Sequence, residues 1–151
     1  MQLGHQLGLL HRTQVNLAAA LREVSEAHAD EVDVFHMARR LADQCDAHAT
    51  RLKPFAKRYR EAADDAPDRL HAELFSGSRG GPLGLLRDLQ DLYLMANLCD
   101  VAWMLVGQAA QGVRDTELVA VVQACEGETA GQVAWLRARL KEAAPQALVV
   151  A

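Results

Sequence analysis

A small set of polar side chains decides what chemistry this chain could perform. Cys45 and His48 stand one helical turn apart, and so do Thr129 and Gln132; with Gln14 they occupy slots where the surrounding apolar pattern calls for Leu or Val. A Cys-x-x-His pair suggests a thiolate–imidazole couple. Such a couple needs an orienting third group, and a thiol on an apolar stripe is expected to stay protonated and inert. A metal centre needs anionic oxygens to offset its charge, and Gln14, Thr129 and Gln132 supply none. Asp100 and Glu126 lie on the flanks at nearly the same depth, with His11 one turn further along. They allow an alternative single-metal set of His48, Asp100 and Glu126 with Gln14 or His11. The plainer expectation is a hydrogen-bonded layer in which His48 pairs with Gln14, Thr129 or Gln132 while Asp100 and Glu126 reach solvent. His5, His28, His36 and His71 scatter over end, surface and loop positions, and HExxH, phosphate-loop and serine-elbow motifs are absent from the sequence. No catalytic or cofactor-binding residue is assigned.

Four segments must position these side chains. The first stripe is Leu3, Leu7, Leu10, Gln14, Leu17, Leu21, Val24 and His28, with Arg12, Asn16, Glu23 and Glu26 turned away from it. The second is Val34, Ala38, Leu41, Cys45, His48, Leu52, Phe55 and Tyr59. Its phase does not continue from the first, so a turn lies near Ala29, with Asp30 as the expected N-cap. Pro54 predicts a kink or an early end. The third stripe is Leu85, Leu89, Leu92, Ala96, Cys99, Trp103, Val106 and Ala110. Gly112 closes it and Asp115 or Thr116 caps the next helix. The fourth is Leu118, Val122, Cys125, Thr129, Gln132, Leu136 and Leu140, closed by Pro145. Between the pairs, residues 60–84 lose periodicity. Asp64-Asp65-Ala66-Pro67 predicts a short amphipathic helix with Leu70, Leu74 and Phe75, followed by loop from Ser76 to Pro82. A connection this long is expected inside a compact bundle only where it crosses the bundle's length or carries function. The expected fold is all-α, an antiparallel four-helix bundle forming a single domain over residues 1–151.

Bulk properties agree. The chain of 151 residues is half apolar and carries a formal charge of −4. That size suits one domain with a real core, and a mildly acidic surface without a basic stripe argues against nucleic acid. Cys45, Cys99 and Cys125 are three thiols without CxxC spacing, which predicts a reducing, cytoplasmic setting. A secretory leader is not expected. The purest apolar stretch, residues 92–106, contains Asn97 and Asp100 and is read as too short and polar for a membrane span.

Counted outward from the two short turns, Gln14, Cys45, His48, Thr129 and Gln132 fall at one depth. A shift of roughly 82 to 84 residues lays Cys45-x-x-His48 on Thr129-x-x-Gln132. In helix order, long middle connection and layer position, residues 5–144 resemble the ferritin-like superfamily. In that family each helix pair supplies a carboxylate and a Glu-x-x-His that face inward onto two metals. Carried over by position, the first carboxylate becomes Gln14 and the first Glu-x-x-His becomes Cys45-x-x-His48. The second carboxylate falls at Ala96 or Cys99, and the second Glu-x-x-His becomes Thr129-x-x-Gln132. Only His48 keeps its ligand type. The resemblance therefore implies the fold and a lost metal centre, with iron, manganese or zinc handling, or an oxidase activity, as the alternative.

A second feature points outward. Opposite its core stripe the third helix carries Leu94, Leu98, Val101 and Leu105, and the fourth carries Ala120, Ala124, Gly127, Gly131, Ala134 and Ala138. Glycine inside a helix costs about 1 kcal/mol against alanine, so Gly127 and Gly131 imply close approach of another helix. A homodimer through these two helices is the expected association, with another protein partner as the variant and Ala147-Leu148-Val149-Val150 as a possible reinforcement.

Overall fold

A computed structural model describes residues 1–60 and 74–150. Within them the chain is helical and free of strands, and four helices pack against one another: α1 (Leu3–Ala27), α2 (Val32–Arg58), α3 (Gly81–Gly112) and α4 (Thr116–Pro145). A π-helical turn, Gln146–Val150, follows α4.

The four stripes make the core. Leu7, Leu10, Leu17, Leu21 and Val24 from α1 are fully enclosed with Val34, Cys45 and Leu52 from α2. They meet Leu89, Leu92, Trp103 and Val106 from α3 and Leu118, Cys125 and Leu136 from α4. Each enclosed Leu or Val contributes about 1.5–3 kcal/mol relative to exposure, so the repeat of three- and four-residue steps dictates which face of each helix turns inward.

Named contacts fix which ends meet. The α1–α2 pair is joined from Ser25 Oγ donating to Phe35 O (2.9 Å) near the turn to Gly4 pressed on the Tyr59 carbonyl at the far end, where any Cβ would collide. The α3–α4 pair also comes close at Gly107, where a Cβ would stand 3.0 Å from Val122 Cγ1. At the end of α1, His28 Nε2 meets Asp88 Oδ2 near the start of α3 (2.8 Å). Tyr59 and Arg58, at the end of α2, donate to Asp115 Oδ2 at the start of α4 (2.5 and 2.7 Å).

Some local expectations are corrected. The N-cap of α2 is Glu31, which makes no side-chain cap bond, rather than Asp30. Glu31 and Asp33 instead accept from the buried guanidinium of Arg139 on α4 (3.1 and 2.7 Å), a stronger partner than a helix terminus. Pro54 leaves α2 to run on to Arg58, since so near a helix end few backbone bonds remain to lose. α3 starts at Gly81, so Gly81 and Pro82 belong to the helix and not the loop; proline at the first turn forgoes an N–H that would be unpaired anyway. On α4 it is Arg139 that is buried, and Leu140 only half so. The short helix expected from Asp64 falls mostly on residues 61–73, outside the described residues. Leu74 and Phe75, just after them, are irregular and pack half-buried against the core.

The apolar stretch of residues 92–106 belongs to α3, whose 32 residues are long and apolar enough by length and composition to cross a membrane. In this fold its core stripe is occupied by packing on α1 and α4.

Candidate functional site

Gln14, Cys45, His48, Thr129 and Gln132 are all buried, at 0–1% exposure. Two of them are satisfied, one within its own helix and one across to α2. Thr129 Oγ1 donates to the Cys125 carbonyl one turn back (2.8 Å). Gln132 Nε2 donates to Gln44 Oε1 (3.1 Å) and its Oε1 accepts the Cys45 thiol (3.8 Å).

His48 departs from the expectation. It bonds none of Gln14, Thr129 and Gln132; its Nε2 meets Glu128 Oε1 at 3.1 Å. Glu128 sits one position off the α4 stripe, 46% exposed at the side chain, and reaches inward along its flexible stem. Burial pulls the imidazole below its ordinary value, and the carboxylate only partly opposes this. The ring stands edge-on to Trp103 of α3, centroids 5.7 Å apart. His48 Nδ1, Trp103 Nε1 and both amide atoms of Gln14 are buried without a hydrogen-bond partner.

The thiols are inert by environment. Burial pushes Cys45 to about 12 and Cys125 to about 11, and raises Cys99 as well. All three are free cysteines.

A dimetal centre does not fit this donor set, because the inward stripe positions offer one imidazole and no carboxylate, and a single acid, Glu128, reaches in from the flank. Asp100 and Glu126 are half-buried. Among the described residues no three or more His, Cys, Asp or Glu side chains come together to hold a metal ion, so His48, Asp100 and Glu126 are not assembled as a ligand group. His11 is half-buried, its Nε2 unpartnered, and desolvation followed by the nearby Lys53 lowers its pKa.

Charged networks at the two ends carry structure that the stripes did not announce. Asp88 is fully buried and holds His28, the Arg79 backbone N–H (2.9 Å) and the Arg79 guanidinium (2.9 Å). It secures the returning chain to the start of α3. The only sequence signal was an acid next to the stripe residue Leu89. Across the α2–α4 seam the contacts are polar rungs: Asp33–Arg139, Gln44–Gln132, His48–Glu128, Arg51–Cys125 and Tyr59–Asp115.

On α3, Leu94, Val101, Met104 and Leu105 are 49%, 48%, 50% and 49% exposed, with Leu98 half-buried beside them. On α4 the face of Ala120, Ala124, Gly127, Gly131, Ala134 and Ala138 is exposed. A Cβ built on Gly127 or Gly131 would meet nothing within 4 Å. The neighbouring C-terminal turn exposes Leu148, Val149 and Val150.

Compared with protein-family models, curated proteins and solved structures, the chain matches none. The functional reading therefore stands on the site and the surface alone.

Proposed function

We propose that this chain is an antiparallel, ferritin-like four-helix bundle that has lost a dimetal centre and works by association, as a homodimeric structural or accessory protein joined through α3 and α4. The helix order is supported by the meeting of His28 with Asp88 and of Tyr59 with Asp115. The chain leaves Tyr59 at one end and returns at Arg79 to the other, which suits a lengthwise crossover.

The observation that carries the association reading is the exposed row Leu94, Val101, Met104 and Leu105 beside two glycines with no neighbour in their own chain. Large aliphatics in a continuous row are unfavourable in water, and helix glycines are unfavourable without a close neighbour. A second copy answers both. A face two helices wide and about 45 Å long has room for the roughly 800 Å² per partner of a standard interface.

Leu105→Glu tests this without touching the core. The wild type is expected to sediment as two copies, and the variant as a helical monomer. An unchanged mass for the variant, or a wild-type monomer at tens of micromolar (roughly), sinks the reading. The competing reading is a metal-binding bundle for iron, manganese or zinc, and it draws on the unpartnered Nδ1 of His48. Near-stoichiometric metal in protein purified without chelator, lost in His48→Ala, would put that reading in place of this one.

A further inference from the structure

Three side chains in the bundle core carry four polar atoms that no protein group satisfies: Gln14 Oε1 and Nε2, His48 Nδ1 and Trp103 Nε1. Each is buried without a protein partner, whereas buried polar groups are ordinarily paired with a protein group or a bound molecule. They share one level. From the His28–Asp88 contact, Gln14 lies about fourteen residues back along α1 and Trp103 about fifteen forward along α3, equal rises for helices whose joined ends meet there. His48 joins them from α2 through its edge contact with the Trp103 ring. α4 supplies Glu128 behind the imidazole.

The hydrogen-bonding character of the layer can be read atom by atom. The Glu128 carboxylate accepts only, so His48 Nε2 carries the proton and Nδ1 presents a lone pair. Trp103 Nε1 donates only. Gln14 offers one acceptor and one donor group. An anion here would face the lone pairs of His48 and Gln14, and a cation would face the N–H groups of Trp103 and Gln14, with no opposite charge supplied by these three side chains. An uncharged molecule with a donor beside an acceptor can pair with both kinds of group.

We propose that this layer is a binding site for a small neutral amide, whose N–H donates to His48 Nδ1 or Gln14 Oε1 and whose carbonyl accepts from Trp103 Nε1 or Gln14 Nε2. Entry is between α2 and α4. These two helices approach each other less closely than the other packed helix pairs, and side-chain bridges such as Gln44–Gln132 and His48–Glu128 join them. Such bridges can part without breaking backbone hydrogen bonds.

The test uses the full chain, 2-pyridone as a cyclic neutral amide, and benzene as an apolar ring. The chain has two tryptophans, so the indole N–H signal of Trp103 is identified by its loss in Trp103→Phe. Titration with 2-pyridone is expected to shift the Trp103 signal saturably, to leave Trp135 in place and to raise the unfolding temperature; benzene should do neither. Gln14→Leu, which removes two unpaired polar atoms from an apolar setting and should fold, is expected to weaken 2-pyridone binding about tenfold. Gln14→Met provides the same loss with a more adaptable side chain. A Trp103 signal unmoved by 2-pyridone overturns the proposal. So does an equal response to benzene, or undiminished binding in both Gln14 variants.

Discussion

His48 shows how far a single residue's environment can be inferred from its neighbours in the chain. Its inward position follows from the stripe, because Cys45 and Leu52 bracket it at helical spacing. Its partner does not follow. Glu128 belongs by periodicity to the surface, and only the flexibility of its stem brings the carboxylate to Nε2. The burial has a measurable consequence. In the unfolded chain the imidazole takes up a proton near pH 6.5, whereas the folded protein resists until a lower pH. Between those values the unfolded state binds more protons, so stability is full above about pH 6.5 and falls as the pH drops below it. His11 shifts in the same direction and adds to the slope. The unfolding midpoint should therefore decline from about pH 7 toward 5, and His48→Gln, which cannot titrate, should show a shallower decline. An equal decline in the variant would remove His48 from the explanation. The thiols give an independent check. With Cys45 near 12 and Cys125 near 11, and Cys99 raised too, none should react with a disulfide reagent at mildly alkaline pH in the native protein. All three should react in denaturant; rapid native labelling would mean that the core opens far more readily than its packing suggests.

At the scale of the elements, the helices themselves were legible because a three-and-four-residue repeat leaves one arrangement that buries its apolar members. All eight members of the first stripe and all eight of the third are buried. The ends were less legible, since a cap depends on what else competes for the acid. Asp30 stands where a capping acid is expected, yet α2 begins after Glu31, whose carboxylate goes to Arg139 with that of Asp33. Asp115 does cap, and it does more than its position alone implies. Its Oδ1 accepts the Leu118 backbone N–H (3.1 Å), while Oδ2 accepts Tyr59 and Arg58 from the end of α2. The Tyr59 hydroxyl, first among these, holds the carboxyl below its usual range. Removing the cap is worth about 1 kcal/mol, and losing the tyrosine hydrogen bond about 1 kcal/mol more. Asp115→Ala should thus lower stability by about 2 kcal/mol in denaturant unfolding. Asp115→Asn, which keeps the capping oxygen but turns a donor amide toward Tyr59 and Arg58 in place of Oδ2, should lose about half of that. If the two variants lose equally, the cap contributes nothing measurable and the Oδ2 contacts to Arg58 and Tyr59 carry the whole loss.

The arrangement of the whole molecule was the least legible, because each stripe is compatible with more than one neighbour. What distinguishes the neighbours are groups outside the periodic pattern: Asp88 binding His28 and Arg79 at one end, and Asp115 binding Tyr59 at the other. The His28–Asp88 and Tyr59–Asp115 contacts link elements far apart in sequence, and no count of residues from a turn anticipates them. The outer face is different, since its apolar row and its glycines could be read directly, while their use could not. Gly127 and Gly131 separate the possibilities. In a lone chain an alanine at either site meets open space and favours the helix by about 1 kcal/mol. At a face pressed against a second copy the same methyl groups hold the helices apart, and close approach is what the glycines provide. The double variant Gly127→Ala, Gly131→Ala should therefore be more stable when dilute, by about 2 kcal/mol, yet fail to dimerise. Its unfolding temperature should lose the dependence on protein concentration expected of the wild-type dimer. A double variant that stays dimeric and gains stability at every concentration would show that association does not run through the glycine face.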